Sequence, residues 1–342
     1  MANILIIGAG VMGSAISVPA ADNGHSVRLV GTPLDSEIIA TLKKPGGVHP
    51  KLDAPLPANV EPLDIDELGT RHGDEADLLI VGVSSPGIEW VCAQLDALIG
   101  KPVPVAFVTK GLVAGRAGIR TYAQTAPEAV EALRPDLFIG IGGPCIAREL
   151  ANRRPTACVY ACPDKARAEA LARLMRTSYY RLDVSEDVTG VEACAALKNF
   201  YAIGVSAMQT RYADRGGSQT KNPTAAAFNQ AIREMRLIAG EIGGRPETVF
   251  DLAGLGDLHV TVGGGRNSRL GHALGRGLRV SQVMKTELAG ETVEGIDTAR
   301  ALGRWVRSHS EADLPLARSI VDAVLKDAPY DFDFRLVGRA PA

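Results

Sequence analysis

Four segments of this chain carry residue types that can do chemistry. The first is Gly8-Ala9-Gly10-Val11-Met12-Gly13, a G-x-G-x-x-G turn that directly follows the apolar run Ile4-Leu5-Ile6-Ile7. Gly8 permits the tight turn, Gly10 lets the backbone approach a pyrophosphate, and Gly13 lets the following helix pack against a sheet. Val11 and Met12 open that helix, whose N–H groups and dipole favour an anion. Between a strand and a helix this pattern is a dinucleotide-binding turn. The second segment is Glu192-Ala193-Cys194-Ala195-Ala196-Leu197-Lys198-Asn199-Phe200, which sets one lysine among small and apolar neighbours. A desolvated ammonium must be paired, must snorkel, or must titrate at a lowered pKa. The last of these suits a general base for an alcohol being oxidised beside a nicotinamide.

The third segment, Phe107-Val108-Thr109-Lys110-Gly111, ends a strand pattern, where open α/β sheets bind ligands, so Lys110 is placed to meet an anionic substrate or the cofactor. The fourth is Gly254-Leu255-Gly256-Asp257-Leu258-His259-Val260-Thr261, followed by Gly263-Gly264-Gly265-Arg266-Asn267. Glycines expose backbone donors, an arginine adds charge-assisted contacts, and a helix starting near Arg266 adds its positive end. That combination reads as a phosphate site. The cofactor's ribose is less sharply specified. The second strand runs into Gly31-Thr32-Pro33, so Thr32 stands where an NAD-selective site usually carries Asp or Glu, and Asp35 comes several residues late. Both NAD and NADP are admitted.

Those segments need elements to hold them. Nearly continuous apolar runs at 3–7, 26–30, 77–83, 103–109, 137–142, 156–161 and 179–182 alternate with helical patterns at 11–23, 87–98 and 165–176. This is the signature of an α/β, Rossmann-like, doubly wound domain with a parallel sheet. The Pro/Gly-rich stretch 44–62 reads as a long connection within it. From about residue 188 only helical patterns follow, at 188–210, 224–242, 268–275, 292–308 and 314–325. The expected division is therefore a dinucleotide-binding domain over 1–187 and an all-helical C-terminal, substrate-binding domain over 188–342, with 331–342 as a loosely attached tail.

Composition narrows the partners. With 37 Lys+Arg against 39 Asp+Glu the net charge is −2, and aromatics are 5%, so neither a basic stripe nor a stacking surface for nucleic acid is expected. No signal peptide is read at the N-terminus, and the most apolar stretch, 190–208, contains Glu192, Lys198 and Asn199, so no membrane span is expected. Five cysteines (92, 145, 158, 162 and 194) form no disulfide framework, and a reduced, cytoplasmic setting follows. His259 and His272 have no ligand-spaced partner, so no metal site is expected.

Taken together and in this order, GAGVMG, TKG, GGPCIARE, GVEACAALKN, LAGLGDL, GRN and the VEG at Val293-Glu294-Gly295 resemble the NAD(P)-dependent sn-glycerol-3-phosphate dehydrogenase family over roughly residues 3 to 325. The resemblance implies reversible reduction of dihydroxyacetone phosphate to sn-glycerol 3-phosphate. It also implies Lys198 as proton donor/acceptor, with Asp257 orienting it or touching substrate. Lys110, Gly143 and Asn199 would contact substrate, Arg266 and Asn267 would hold its phosphate, and Thr261 is a further ligand. Ala147, Glu294, Lys110 and Arg266 would lie at the cofactor, and a homodimer is implied. Other enzyme readings are a ketopantoate reductase-like or 6-phosphogluconate-like dehydrogenase, and the non-enzyme reading is an NAD(P)-sensing regulator. Cys145 and Ile146 stand where the family carries a hydroxyl residue and Phe, and residues 211–225 depart from its short glycine-rich loop.

Overall fold

A computed structural model describes residues 1–115, 118–213, 217–310 and 313–338. The chain forms two compact units, one of Met1–Lys110 with Ala123–Val191, the other of Gly111–Tyr122 with Glu192–Ala342. The expected division at residue 188 left residues 111–122 with the first domain; they belong to the second unit. The divergent 211–225 loop is only partly covered, since residues 214–216 lie outside the described residues.

The strands are β1 (Asn3–Ile7), β2 (Ser26–Gly31), β3 (Val60–Asp64), β4 (Leu78–Val81), β5 (Val105–Phe107), β6 (Leu112–Gly115), β7 (Gly118–Thr121), β8 (Phe138–Gly142), β9 (Thr156–Ala161) and β10 (Tyr180–Ser185). In the first unit eight of them make one sheet in the order β10-β9-β8-β5-β4-β1-β2-β3. All of β4 and β8, and all but Asn3 of β1, are buried, which is why β1 and β4 read as unbroken Ile/Leu/Val runs. The register Ile4↔Val27 and Ile4↔Leu78 aligns the carboxyl ends of β1, β2 and β4, where the Gly8–Gly13 turn sits.

Two expectations for this sheet need correction. The sheet is mixed, because β8 and β9 pair antiparallel while β9 and β10 pair parallel. The 44–62 stretch is also not all connection, since its end enters β3, which pairs with β2 alone. Pro62 and two acidic residues disguise β3 in the sequence, yet an edge strand tolerates proline because one of its sides needs no ladder donor.

The second unit is helical, with the β6–β7 antiparallel hairpin added from upstream. Its central element is the helix Val188–Arg211, in which residues 190–208 are all buried. A helix apolar on every side must lie inside a core. Around it stand the helices Asn222–Glu241, Arg266–Gly275, Glu294–Ser308 and Pro315–Leu325. Glycines decide how close they come. A Cβ at Gly271 would lie 2.3 Å from the Ile203 carbonyl oxygen, and one at Gly275 would lie 2.2 Å from that of Ala207. The helix carrying Arg266 and Asn267 therefore rests backbone to backbone on the helix carrying Lys198.

The segment from residue 331 is no loose tail as far as it is described. Tyr330 and Phe332 are buried, the Arg211 guanidinium donates to the Tyr330 carbonyl at 2.6 Å, and Gly338 N–H donates to Gln230 Oε1. Residues 339–342 lie outside the described residues. None of the five cysteines is in a disulfide. Among the described residues no helix is long and apolar enough to cross a membrane, and no group of His, Cys, Asp and Glu could hold a metal ion.

Candidate active site

The first unit contributes a backbone site. Gly8 has φ +113°, a conformation side chains resist, and a Cβ there would lie 2.8 Å from the Gly82 carbonyl carbon. A Cβ at Gly13 would collide with the Gly8 carbonyl oxygen at 1.9 Å, so the third glycine is required by the turn itself. Gly10 differs: a Cβ there meets nothing within 4 Å. That open side is where a pyrophosphate would lie, against the start of the helix Val11–Asp22, so the residues present fit a dinucleotide.

Beside this turn lies a small, partly open cleft lined by Met12, Val108, Lys110, Gly143, Cys145 and Tyr180, among others. Lys110 is half-buried, and its carbonyl accepts from Ser85 Oγ at 2.9 Å. Gly143 (φ +118°) allows β9 to approach, since a Cβ there would lie 2.9 Å from Cys158 Cα. Ala147 opens the helix Ala147–Ala151. Burial pushes the Tyr180 hydroxyl well above its ordinary range, so this hydroxyl stays neutral. Cys145 and Tyr180 were not anticipated as cleft residues; they come to it from the end of β8 and from β10, which no local pattern connects.

Thr32 and Asp35 meet at the end of β2. Asp35 folds back so that its Oδ2 accepts from Thr32 N–H (2.9 Å), Thr32 Oγ1 (2.8 Å) and Ala9 N–H (3.2 Å). The signal for this was a Thr and an Asp three residues apart ahead of the helix Ser36–Leu42, with Asp35 at its N-cap position.

The second unit contributes a side-chain site. Lys198 and Asp257, 59 residues apart, form a buried ion pair, with the lysine 7% and the aspartate 1% exposed. Asp257 starts the helix Asp257–Val262, which follows a wide turn over Leu252–Gly256. Gly254 makes that turn possible, because a Cβ there would lie 2.1 Å from the Val249 carbonyl oxygen. Burying an ion pair is costly unless the partners are close and otherwise hydrogen-bonded, and removing one partner typically costs about 3–5 kcal/mol.

Next to Lys198 the amide of Asn199 starts a chain of contacts. Asn199 Nδ2 donates to Glu294 Oε2 (2.6 Å), Asn267 Nδ2 donates to Asn199 Oδ1 (3.0 Å), and Gly295 N–H donates to Asn267 Oδ1 (2.9 Å). Arg266 reaches Glu294 only at 3.9 Å and keeps a 44% exposed side chain. Thr261 Oγ1 donates to the Asp257 carbonyl at 2.7 Å, so toward a ligand its hydroxyl can only accept. The second unit thus brings Lys198, Asn199, Asp257, Asn267 and Glu294 together, with Arg266 at their edge. The first unit separately gathers the turn, Lys110 and Gly143.

A glycine turn at the carboxyl end of a largely parallel sheet, with a helical unit that buries a Lys–Asp pair, defines a two-unit protein of the Rossmann-like, dinucleotide-binding class. Comparison with known proteins narrows this. The family models described as NAD-dependent glycerol-3-phosphate dehydrogenase N-terminus and C-terminus match residues 3–168 and 187–331. The chain is 36% identical over 322 residues to the NADP(+)-dependent glycerol-3-phosphate dehydrogenase of Archaeoglobus fulgidus, covering 93% of each protein. It is 33% identical over 349 residues to a glycerol-3-phosphate dehydrogenase [NAD(P)+] of Paracidovorax citrulli, covering 99% of this chain and 98% of that one. In fold, it matches the crystal structure of a Coxiella burnetii glycerol-3-phosphate dehydrogenase with a TM-score of 0.78 at 24% identity, over 96% of each chain. The chain belongs to the NAD-dependent glycerol-3-phosphate dehydrogenase family.

Proposed function

We propose that this protein is an NAD(P)-dependent glycerol-3-phosphate dehydrogenase that reversibly reduces dihydroxyacetone phosphate to sn-glycerol 3-phosphate. The observation that carries the chemistry is the buried Lys198–Asp257 pair, flanked by Asn199, Asn267 and Arg266. Gly8, Gly10, Val11, Met12 and Gly13 of the first unit would hold NAD or NADP, with Thr32 and Ala147 along the same edge and Lys110 at the cleft beside the turn. Hydride transfer to and from the substrate's C2 is the chemistry a bound nicotinamide would supply.

In the reducing direction the C2 carbonyl oxygen gains a proton as it becomes an alcohol, and Lys198 Nζ supplies it. In the oxidising direction Nζ takes it back. Asp257 keeps the ammonium in one orientation and balances its charge inside the core. Arg266 and Asn267 open the helix Arg266–Gly275, so the substrate phosphate meets a guanidinium, an amide and first-turn N–H groups that have no intrahelical acceptor. Glu294 holds the Asn199 amide by accepting from its Nδ2. Gly143 and Lys110 are assigned substrate contacts on the family resemblance, and Thr261 the accepting role its hydroxyl bond leaves it. The ketopantoate reductase-like and 6-phosphogluconate-like readings and the sensor reading lack this match between family and side-chain set.

Initial rates with NADH and NADPH against dihydroxyacetone phosphate and its unphosphorylated parent test the assignment. Phosphate-dependent turnover is expected. An Arg266→Ala variant should raise the KM for the phosphorylated substrate about tenfold to a hundredfold, the worth of one charge-assisted bond. Equal turnover of both substrates, or an unchanged KM, would refute the phosphate site. We read the working form as a cytoplasmic homodimer, on the resemblance and on the unbridged cysteines; light scattering of the purified protein checks the dimer.

A further inference from the structure

We propose that Asp35 positions the dinucleotide turn and does not read the adenine ribose. This rests on the dinucleotide reading above. In sequence, Asp35 is the first carboxylate after β2, so it is the natural candidate for a group that accepts from ribose hydroxyls and repels a 2′-phosphate. Its geometry assigns it elsewhere. One oxygen, Oδ2, takes three donors, and one of them is the amide of Ala9, the residue between Gly8 and Gly10. The other two come from Thr32, so the end of β2 and the phosphate turn are tied to a single atom.

A buried histidine lies near the same turn. His49 is 1% exposed and lies against the Ala9 backbone. Its Nδ1 accepts the Lys51 N–H at 3.0 Å, which leaves the ring proton on Nε2. The segment around it is anchored twice, by Leu52 buried in the core and by the Arg148 guanidinium forked onto Asp53. Asp35 therefore clasps the Ala9 amide to the end of β2, with the buried His49 ring beside it. The first-turn amides of the helix Val11–Asp22 are left to meet the pyrophosphate. A clasp of this kind acts on the half of the cofactor that NAD and NADP share. A ribose reader would act on the half that differs.

Calorimetric titration of the full chain and of Asp35→Asn with NAD+, NADP+ and ADP-ribose separates the two roles. The clasp predicts that all three bind about fivefold to thirtyfold more weakly, with their ratios kept within about twofold. It also predicts that kcat at saturating cofactor is held, a split that general loss of structure would not produce. Should circular dichroism show that Asp35→Asn does not fold, Asp35→Ser, which keeps a helix N-cap residue, is judged by the same criterion. A gain in NADP+ binding relative to NAD+, or no change in any affinity, would overturn the clasp. A native chain that bound neither dinucleotide would overturn the functional reading and this proposal with it.

Discussion

The glycine turn and the Lys198 pocket solve opposite problems. The turn in the first unit is a proposed backbone site whose shape depends on missing side chains; a Cβ at Gly13 would occupy the space of the Gly8 carbonyl. The proposed site in the second unit depends on side chains that are buried yet paired, and Lys198 and Asp257 come to it from helices, 59 residues apart in sequence. The first kind of site is specified by adjacent residues, the second by packing. The contrast teaches that damage should spread differently in the two places: steric in the turn, electrostatic in the pocket.

Gly13→Ala should do the most harm. Its methyl carbon cannot coexist with the Gly8 carbonyl, so a loss of about 3 kcal/mol or more of stability is expected together with dinucleotide binding. A denaturant melt and a titration check both, and a stable variant that still binds would break the steric account of the turn. Gly10→Ala sharpens the same contrast, because its methyl meets only open space. It should melt like the native protein while dinucleotide affinity falls about tenfold, since the methyl stands where the pyrophosphate approaches.

The helical unit carries an electrostatic counterpart away from the site. Glu234 is buried and accepts from Gln230 Nε2 (3.0 Å), Tyr201 Oη (3.0 Å), Leu316 N–H (2.9 Å) and Ala317 N–H (2.8 Å). Burial nevertheless raises its pKa from 4.5 to about 7. The folded state therefore holds this proton where the unfolded chain has released it, and the group's contribution to stability is full below pH 4.5 and lost as pH rises to 7. The shift corresponds to about 3 kcal/mol. Melts of native and Glu234→Gln protein between pH 5 and 8 should show that the variant lacks this slope, even though it is weaker overall; parallel pH profiles would contradict the assignment.

How much of this was legible in the sequence follows the same division. Gly8, Gly10 and Gly13 could be read in full, because what each does is decided by its neighbours along the chain. Lys198, Asp257, Asn267 and Glu294 could be singled out one by one, but their pairing depends on how closely helices approach, which Gly271, Gly275 and Gly295 decide at a distance. Strand β3 escaped because Pro62 is tolerated only where a sheet ends. The antiparallel placement of β9 escaped because a buried strand has the same composition in either direction. The hold on Tyr330 is not legible in the sequence because its partners, Arg211 and Gly204, lie more than a hundred residues away. Asp35 was visible but judged by its distance from β2, when the turn that brings it back to Ala9 was what mattered.

The central claim is that Lys198 moves the proton while the first unit holds the cofactor. Lys198→Ala tests it most directly, with dinucleotide affinity measured by titration and kcat by NADPH-dependent and NADH-dependent reduction of dihydroxyacetone phosphate. The account predicts that affinity stays within about twofold of the native protein while kcat falls a hundredfold or more, about the range of general acid–base catalysis. A variant that bound cofactor and turned over at near the native rate would contradict it.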